Sequence, residues 1–133
     1  MTTLESVFED YQKSVQRLHE ALQQPKNAFI RDSAIQRFEI AFELAWKTVK
    51  TFAEVYHNVR CVSPQTCFRE AFGLGLIEYD EGWIELARIR NLTVHTYKEE
   101  LAEKLYGEFP RALQKFQELE KAIRERIGKG ENT

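Results

Sequence analysis

The sequence predicts an all-α protein, a helical bundle, on three observations. Apolar residues recur three and four apart along most of the chain. Only three prolines and six glycines occur in 133 residues, and long β-branched runs are few, a composition that favours helix. The apolar stripes are separated by capping residues, prolines and glycines, which stop and start helices.

The first helix is predicted over about Thr3 to Gln24. Leu4, Val7, Phe8, Tyr11, Val15, Leu18 and Leu22 make one stripe, and Pro25 ends it. The second is longer, about Asp32 to His57, capped by Asp32 or by Ser33 with Gln36 in capping-box spacing. Phe38, Phe42, Ala45, Val49, Phe52 and Tyr56 form its main stripe. Ile35, Ala41, Leu44 and Trp46 widen it, so this helix is expected at the centre. Glu39 and Glu43 stand beside that aromatic surface. They read either as surface pairing with residues such as Lys47 or as partners, with Arg37, of a functional cluster further along.

Ser63-Pro64 starts a short helix, about Pro64 to Phe72, and Gly73 and Gly75 end it. A helix from about Asp80 to Val94 follows, with Trp83, Leu86, Ala87, Arg90 and Val94 on related turns. A core-facing Arg90 needs acceptors, which makes a carboxylate of the second helix its expected partner. Thr96-x-x-Glu99 has capping-box form, so the last helix is expected from Thr96 to about Ile127, kinked or broken at Pro110.

Length implies one domain, residues 1–127, with a flexible tail over 128–133. Hydrophobic residues make up 43%, including nine Phe and two Trp, enough for a sizeable core. Charged residues make up 30% and the net charge is -2, which argues against a strongly basic nucleic-acid binder but allows a local basic patch. The N-terminus reads as no signal peptide and no apolar run approaches a membrane span. Cys61 and Cys67 are not spaced as a CxxC pair, and both are expected as reduced thiols in a cytoplasmic protein. With His57 they fit no common zinc spacing, so no metal site is expected.

The chemistry concentrates in Ile89-Arg90-Asn91-Leu92-Thr93-Val94-His95-Thr96-Tyr97. An always-charged guanidinium and a group that titrates near neutrality suit phosphate chemistry. The same residue types at a helix end also occur as a plain capping and salt-bridge cluster. In one unbroken helix Arg90 and His95 would diverge by about 140°. A break near Thr96 would let them converge.

Two stretches carry a family resemblance. Arg37-Phe38-Glu39-Ile40-Ala41-Phe42-Glu43-Leu44-Ala45-Trp46-Lys47 resembles the second-helix signature of the nucleotidyltransferase substrate-binding group of HEPN domains. Arg90 to His95 matches the HEPN pattern of Arg, four to six residues, then His, and continues to Tyr97 as Arg-x4-His-x-Tyr. Helix order and length fit as well. The resemblance implies an up-and-down bundle of four long helices plus a short one, a homodimer, and a separate minimal nucleotidyltransferase as partner, as in toxin–antitoxin pairs. It implies no cofactor: active HEPN members are metal-independent ribonucleases. In some pairs the partner silences the toxin by attaching AMP to the tyrosine that corresponds to Tyr97.

Three readings follow. In the first, the chain is a substrate-binding partner subunit, with nucleotide or substrate phosphate held at the Arg90–His95 cleft. In the second, it is a ribonuclease: His95 is the acid/base, Arg90 the phosphate clamp, Asn91 the orienting group, with Glu43 and Arg37 in support and two such clusters facing across a dimer axis. In the third, the cluster merely ties two helices of a structural dimer.

Overall fold

The computed structural model describes residues 2–78 and 81–130. Six α-helices are present among them, with no strand: α1 (Thr3–Gln23), α2 (Ala28–His57), α3 (Pro64–Gly73), α4 (Glu81–Leu92), α5 (Glu99–Tyr106) and α6 (Phe109–Gly128). A 3-10 turn, Thr93–His95, follows α4. Tyr79 and Asp80, where the fourth helix was expected to begin, and 131–133 of the expected tail lie outside the described residues.

The 30-residue α2 is the centre, and every other helix packs on it. Its wide apolar face explains this: Phe38, Ala41, Phe42, Ala45, Val49 and Phe52 are all buried. Phe38 stacks on Phe109 with ring centroids 4.9 Å apart, which fixes α6 across α2. The Tyr11 hydroxyl donates to the Phe116 carbonyl at 2.7 Å, tying α1 to α6 inside the core.

Three helix starts differ from the sequence expectation. α2 begins at Ala28, four residues before Asp32, because the Asn27 side chain accepts the Ile30 N–H at 2.8 Å and caps the helix there. The last segment splits in two at Gly107 and Glu108. Pro110 sits in the first turn of α6, where its missing N–H costs no helical hydrogen bond. The expected capping box at Thr96 does not form. The Thr96 hydroxyl donates instead to the Thr93 carbonyl at 2.8 Å, and Glu99 opens α5 paired to Arg31 of α2.

The expected cap of α3 is present: Ser63 Oγ accepts the Thr66 N–H at 3.3 Å and Thr66 Oγ1 accepts the Ser63 N–H at 3.2 Å. Ahead of it, Asn58 at φ 51° ends α2 in the left-handed conformation, and the Val59 N–H returns to the Ala53 carbonyl at 3.0 Å. Here the structure corrects the reading of the cysteines. Cys61 and Cys67 are joined in a disulfide, which clips this connection to the first turn of α3. Six residues of separation hid the pair from a CxxC search, but the turn of chain through Ser63 brings their Cα atoms to 5.2 Å.

Candidate functional site: the Arg90–Tyr97 edge

The site is built where α4 stops. Thr93 ends the helix by local competition: its hydroxyl lies 2.8 Å from the Arg90 carbonyl, and Thr96 repeats the pattern on Thr93. The chain tightens into the 3-10 turn, then turns through Tyr97 and Lys98 to α5. The break expected near Thr96 is therefore real, but hydroxyl back-bonding makes it, not a cap.

Arg90 points to α2, as a buried arginine's need for acceptors required. Its Nη1 lies 3.2 Å from Glu39 Oε2 and its Nε 3.4 Å from Glu43 Oε1. Nη1 also donates to Thr93 Oγ1 at 3.1 Å. Glu43 is itself held by the Trp46 indole N–H at 3.0 Å. Nε is buried without a hydrogen bond of proper angle, so the Glu43 contact is an ion pair rather than a fork. Two carboxylates face one guanidinium, and the cluster carries an excess negative charge. Arg90 keeps 26% of its side-chain surface in water.

His95 and Tyr97 stand on the open side of the turn. His95 is exposed and Tyr97 is 76% exposed, with ring centroids 6.2 Å apart and edge to face. The Lys98 ammonium lies 5.9 Å from the Tyr97 ring centroid. Among the described residues no hydrogen bond joins Arg90 to His95. Asn91 is exposed and faces the other way, into a groove between α3 and α4.

Arg37 lies elsewhere. Its Nη1 donates to the Arg17 carbonyl of α1 at 2.7 Å, so it does not support the cluster. Arg37 and Glu39 are two residues apart on one helix, about 200° around it, and cannot face the same neighbour. Sequence reasoning missed two contributors. Thr93, 4% exposed, bridges Arg90 and Glu39, and three-residue spacing from Arg90 was the available signal. Arg31, also 4% exposed, pairs with Glu99 at 2.6 Å and Glu103 at 3.0 Å, anchoring α5 just after Tyr97. It was hidden because the helix that carries it starts earlier than expected. No group of side chains among the described residues is placed to hold a metal ion.

Fold and site together define a small all-α bundle protein with one polar Arg–His–Tyr edge. Residues 6–125 match the family described as "Nucleotidyltransferase substrate binding protein like", and the chain belongs to that family. A solved Thermus thermophilus protein superposes with TM-score 0.74 and 30% identity, over 88% of this chain and 98% of that one. A Haemophilus influenzae structure, described as revealing the fold of a substrate binding domain of a nucleotidyltransferase, superposes with TM-score 0.67 and 25% identity. That match covers 91% of this chain and 96% of the other. A Haemophilus influenzae protein described as "Probable ribonuclease HepT" is 32% identical over 79 residues, 56% of this chain. The chain spans 54% of that relative's length.

Proposed function

We propose that the chain is the partner, substrate-binding subunit of a minimal nucleotidyltransferase, with the Arg90–Tyr97 edge as the surface that meets nucleotide. The observation that carries this is the pinning of Arg90 by Glu39 and Glu43. A lone chain presents an arginine already neutralised, next to an exposed tyrosine, and not a free phosphate clamp. The family match points the same way. Near-complete burial of Arg90 and His95 would have supported the purely structural reading, whereas His95 is exposed.

The ribonuclease reading is the alternative, favoured by the exposed His95 and by the likeness to a relative described as a probable ribonuclease. Metal-independent cleavage takes a base for the 2′-OH, an acid for the leaving oxygen and positive charge for the phosphorane. One chain supplies one His95. A homodimer that faced two such edges would supply two, with Arg90 released from Glu43 to meet the phosphate and Asn91 orienting it. Nucleotidyl transfer to the Tyr97 hydroxyl would form the tyrosyl–AMP ester and release pyrophosphate from ATP, adding bulk and negative charge at that face. Both readings put the protein in a toxin–antitoxin pair in the cytoplasm. The Cys61–Cys67 bond has both residues buried, 3% and 0% exposed, and soluble thiols reach it when α3 opens.

No helix among the described residues is long and apolar enough to cross a membrane. The deciding experiment is intact mass after incubation with the partner nucleotidyltransferase, ATP and Mg²⁺, beside Tyr97→Phe. A gain of AMP units absent from the variant establishes Tyr97 as the acceptor. A stable complex with no mass gain leaves the substrate-binding role alone. Loss of single-stranded RNA cleavage in His95→Ala separates the ribonuclease, and unchanged cleavage rejects it.

A further inference from the structure

A groove of about 770 Å³ runs between α3 and α4, with Phe42 of α2 at its base. Phe42, Phe68 and Trp83 form an aromatic floor, with Phe68 and Trp83 ring centroids 4.6 Å apart. Phe72 on α3 and Ile84 on α4 stand at its sides, 47% and 59% exposed. We propose that this groove is a nucleobase-binding subsite, set beside the Arg90–His95 edge on the other face of α4. The inference rests on the reading that this edge meets nucleotide.

Three observations support that occupant. The first is shape: the volume falls in the range of small-ligand sites, about 300–1,000 Å³. The second is lining. Apolar sides suit a planar ring, and the Asn91 amide offers both a donor and an acceptor to a base edge. Arg69 and Arg88 line the groove as well, and Arg88 is held in place by Glu85, with Nε to Oε2 at 2.9 Å. With Arg88 paired to Glu85, and Glu78 set against Arg69 in the lining, the charges about the groove balance, which suits an uncharged ring rather than a free phosphate. The third is register. Phe42 faces the groove while its neighbour Glu43 holds Arg90, and Asn91 faces the groove while its neighbour Arg90 faces α2. Consecutive residues on two helices thus set the groove and Arg90 side by side.

The test is calorimetric titration of the full chain with adenosine, AMP, inorganic phosphate and a short single-stranded RNA. Adenosine and AMP are expected to bind and phosphate alone is not. Ile84→Glu, at an exposed position, is expected to weaken adenosine about tenfold or more, the scale of one lost base contact. Ala87→Phe fills the groove and should do the same, with circular dichroism confirming that both variants fold. RNA binding lost in these variants, without mononucleotide binding, assigns the base to a strand and still supports the subsite. Absence of all binding overturns it, as does binding that neither variant changes. So does a dimer that Ile84→Glu dissociates without any effect on ligand, because a second copy would then be the occupant. Complex formation between the wild-type chain and the nucleotidyltransferase is scored separately, so failure of the groove is distinct from failure of the partner reading.

Discussion

Thr93 sits between Arg90 and Glu39, its Oγ1 3.1 Å from the arginine Nη1 and 2.8 Å from Glu39 Oε2. The hydroxyl accepts from the guanidinium and donates to the carboxylate. Its single hydrogen also has the Arg90 carbonyl within 2.8 Å, and it serves one acceptor at a time. Thr93 therefore fixes both where α4 ends and how Arg90 is aimed.

Thr93→Val keeps the shape and removes the bridge. The variant should lose about 1–2 kcal/mol, because a largely buried charged group loses a hydrogen-bond partner. Thr93→Ser should recover most of that. Urea unfolding with an unchanged slope reads the difference. A Thr93→Val midpoint equal to wild type would show that the bridge adds nothing to stability.

Arg31 makes an acid-side prediction. Glu99 is held below the usual 4.5 by its hydrogen bond from Arg31, and Glu103 by those from Lys26 and then Arg31. A carboxyl lowered in the folded state stabilises the fold fully above about 4.5 and loses that contribution as pH falls from there through its lowered folded-state value. The melting temperature of the wild type should therefore drop more steeply from pH 5 to pH 3 than that of Arg31→Met. Both glutamates face water, so the difference is modest and shrinks with salt. Parallel pH profiles for the two proteins would refute the role of this network.

Much of the bundle was legible, because its signals are local and repetitive. Leu4, Phe8, Tyr11, Val15 and Leu18 of the α1 stripe and the Phe38-to-Phe52 face of α2 are buried as their spacing required, with Val7 and Leu22 partly buried at the stripe's margin. Arg90 found its predicted carboxylates, since Glu39 and Glu43 share a helix face and a buried guanidinium has few other partners. What failed depended on competition between partners. Thr96 and Glu99 had capping-box spacing, but Thr96 bonds the nearer carbonyl and Glu99 is drawn to Arg31, a residue 68 positions away. The groove and the disulfide are likewise products of how α3 folds back on α2 and α4, which no single stretch of sequence contains.

Tyr11 tests the core. It is 0% exposed, and its hydroxyl donates to the Phe116 carbonyl at 2.7 Å. Tyr11→Phe should cost about 1 kcal/mol, since the carbonyl keeps its helical partner and only one hydrogen bond is lost. Burial pushes the Tyr11 phenol well above its usual 10.0, with Glu120 adding to the shift. An acid raised in the folded state stabilises below that value and ceases to as pH rises through it. An ultraviolet titration should thus show one of the five tyrosines resisting ionisation until the protein unfolds, and Tyr11→Phe should remove that late phase. A phase that persists in the variant would assign it to another tyrosine.

The Cys61–Cys67 bond decides how firmly α3 is set, and α3 is one wall of the groove. A loop this short restricts the unfolded chain by about 2 kcal/mol on the loop-entropy account. Dithiothreitol or Cys67→Ser should lower the unfolding free energy by that order, read from the urea midpoint. Intact mass, two daltons heavier after reduction, confirms that the bond was present. Reduction and Cys67→Ser should act through the same constraint, so dithiothreitol should do nothing further to the variant. If wild type loses no stability on confirmed reduction, the Ser63 cap and the burial of Phe68 and Ala71 hold α3 unaided. The groove would then persist under reducing conditions with or without the bond.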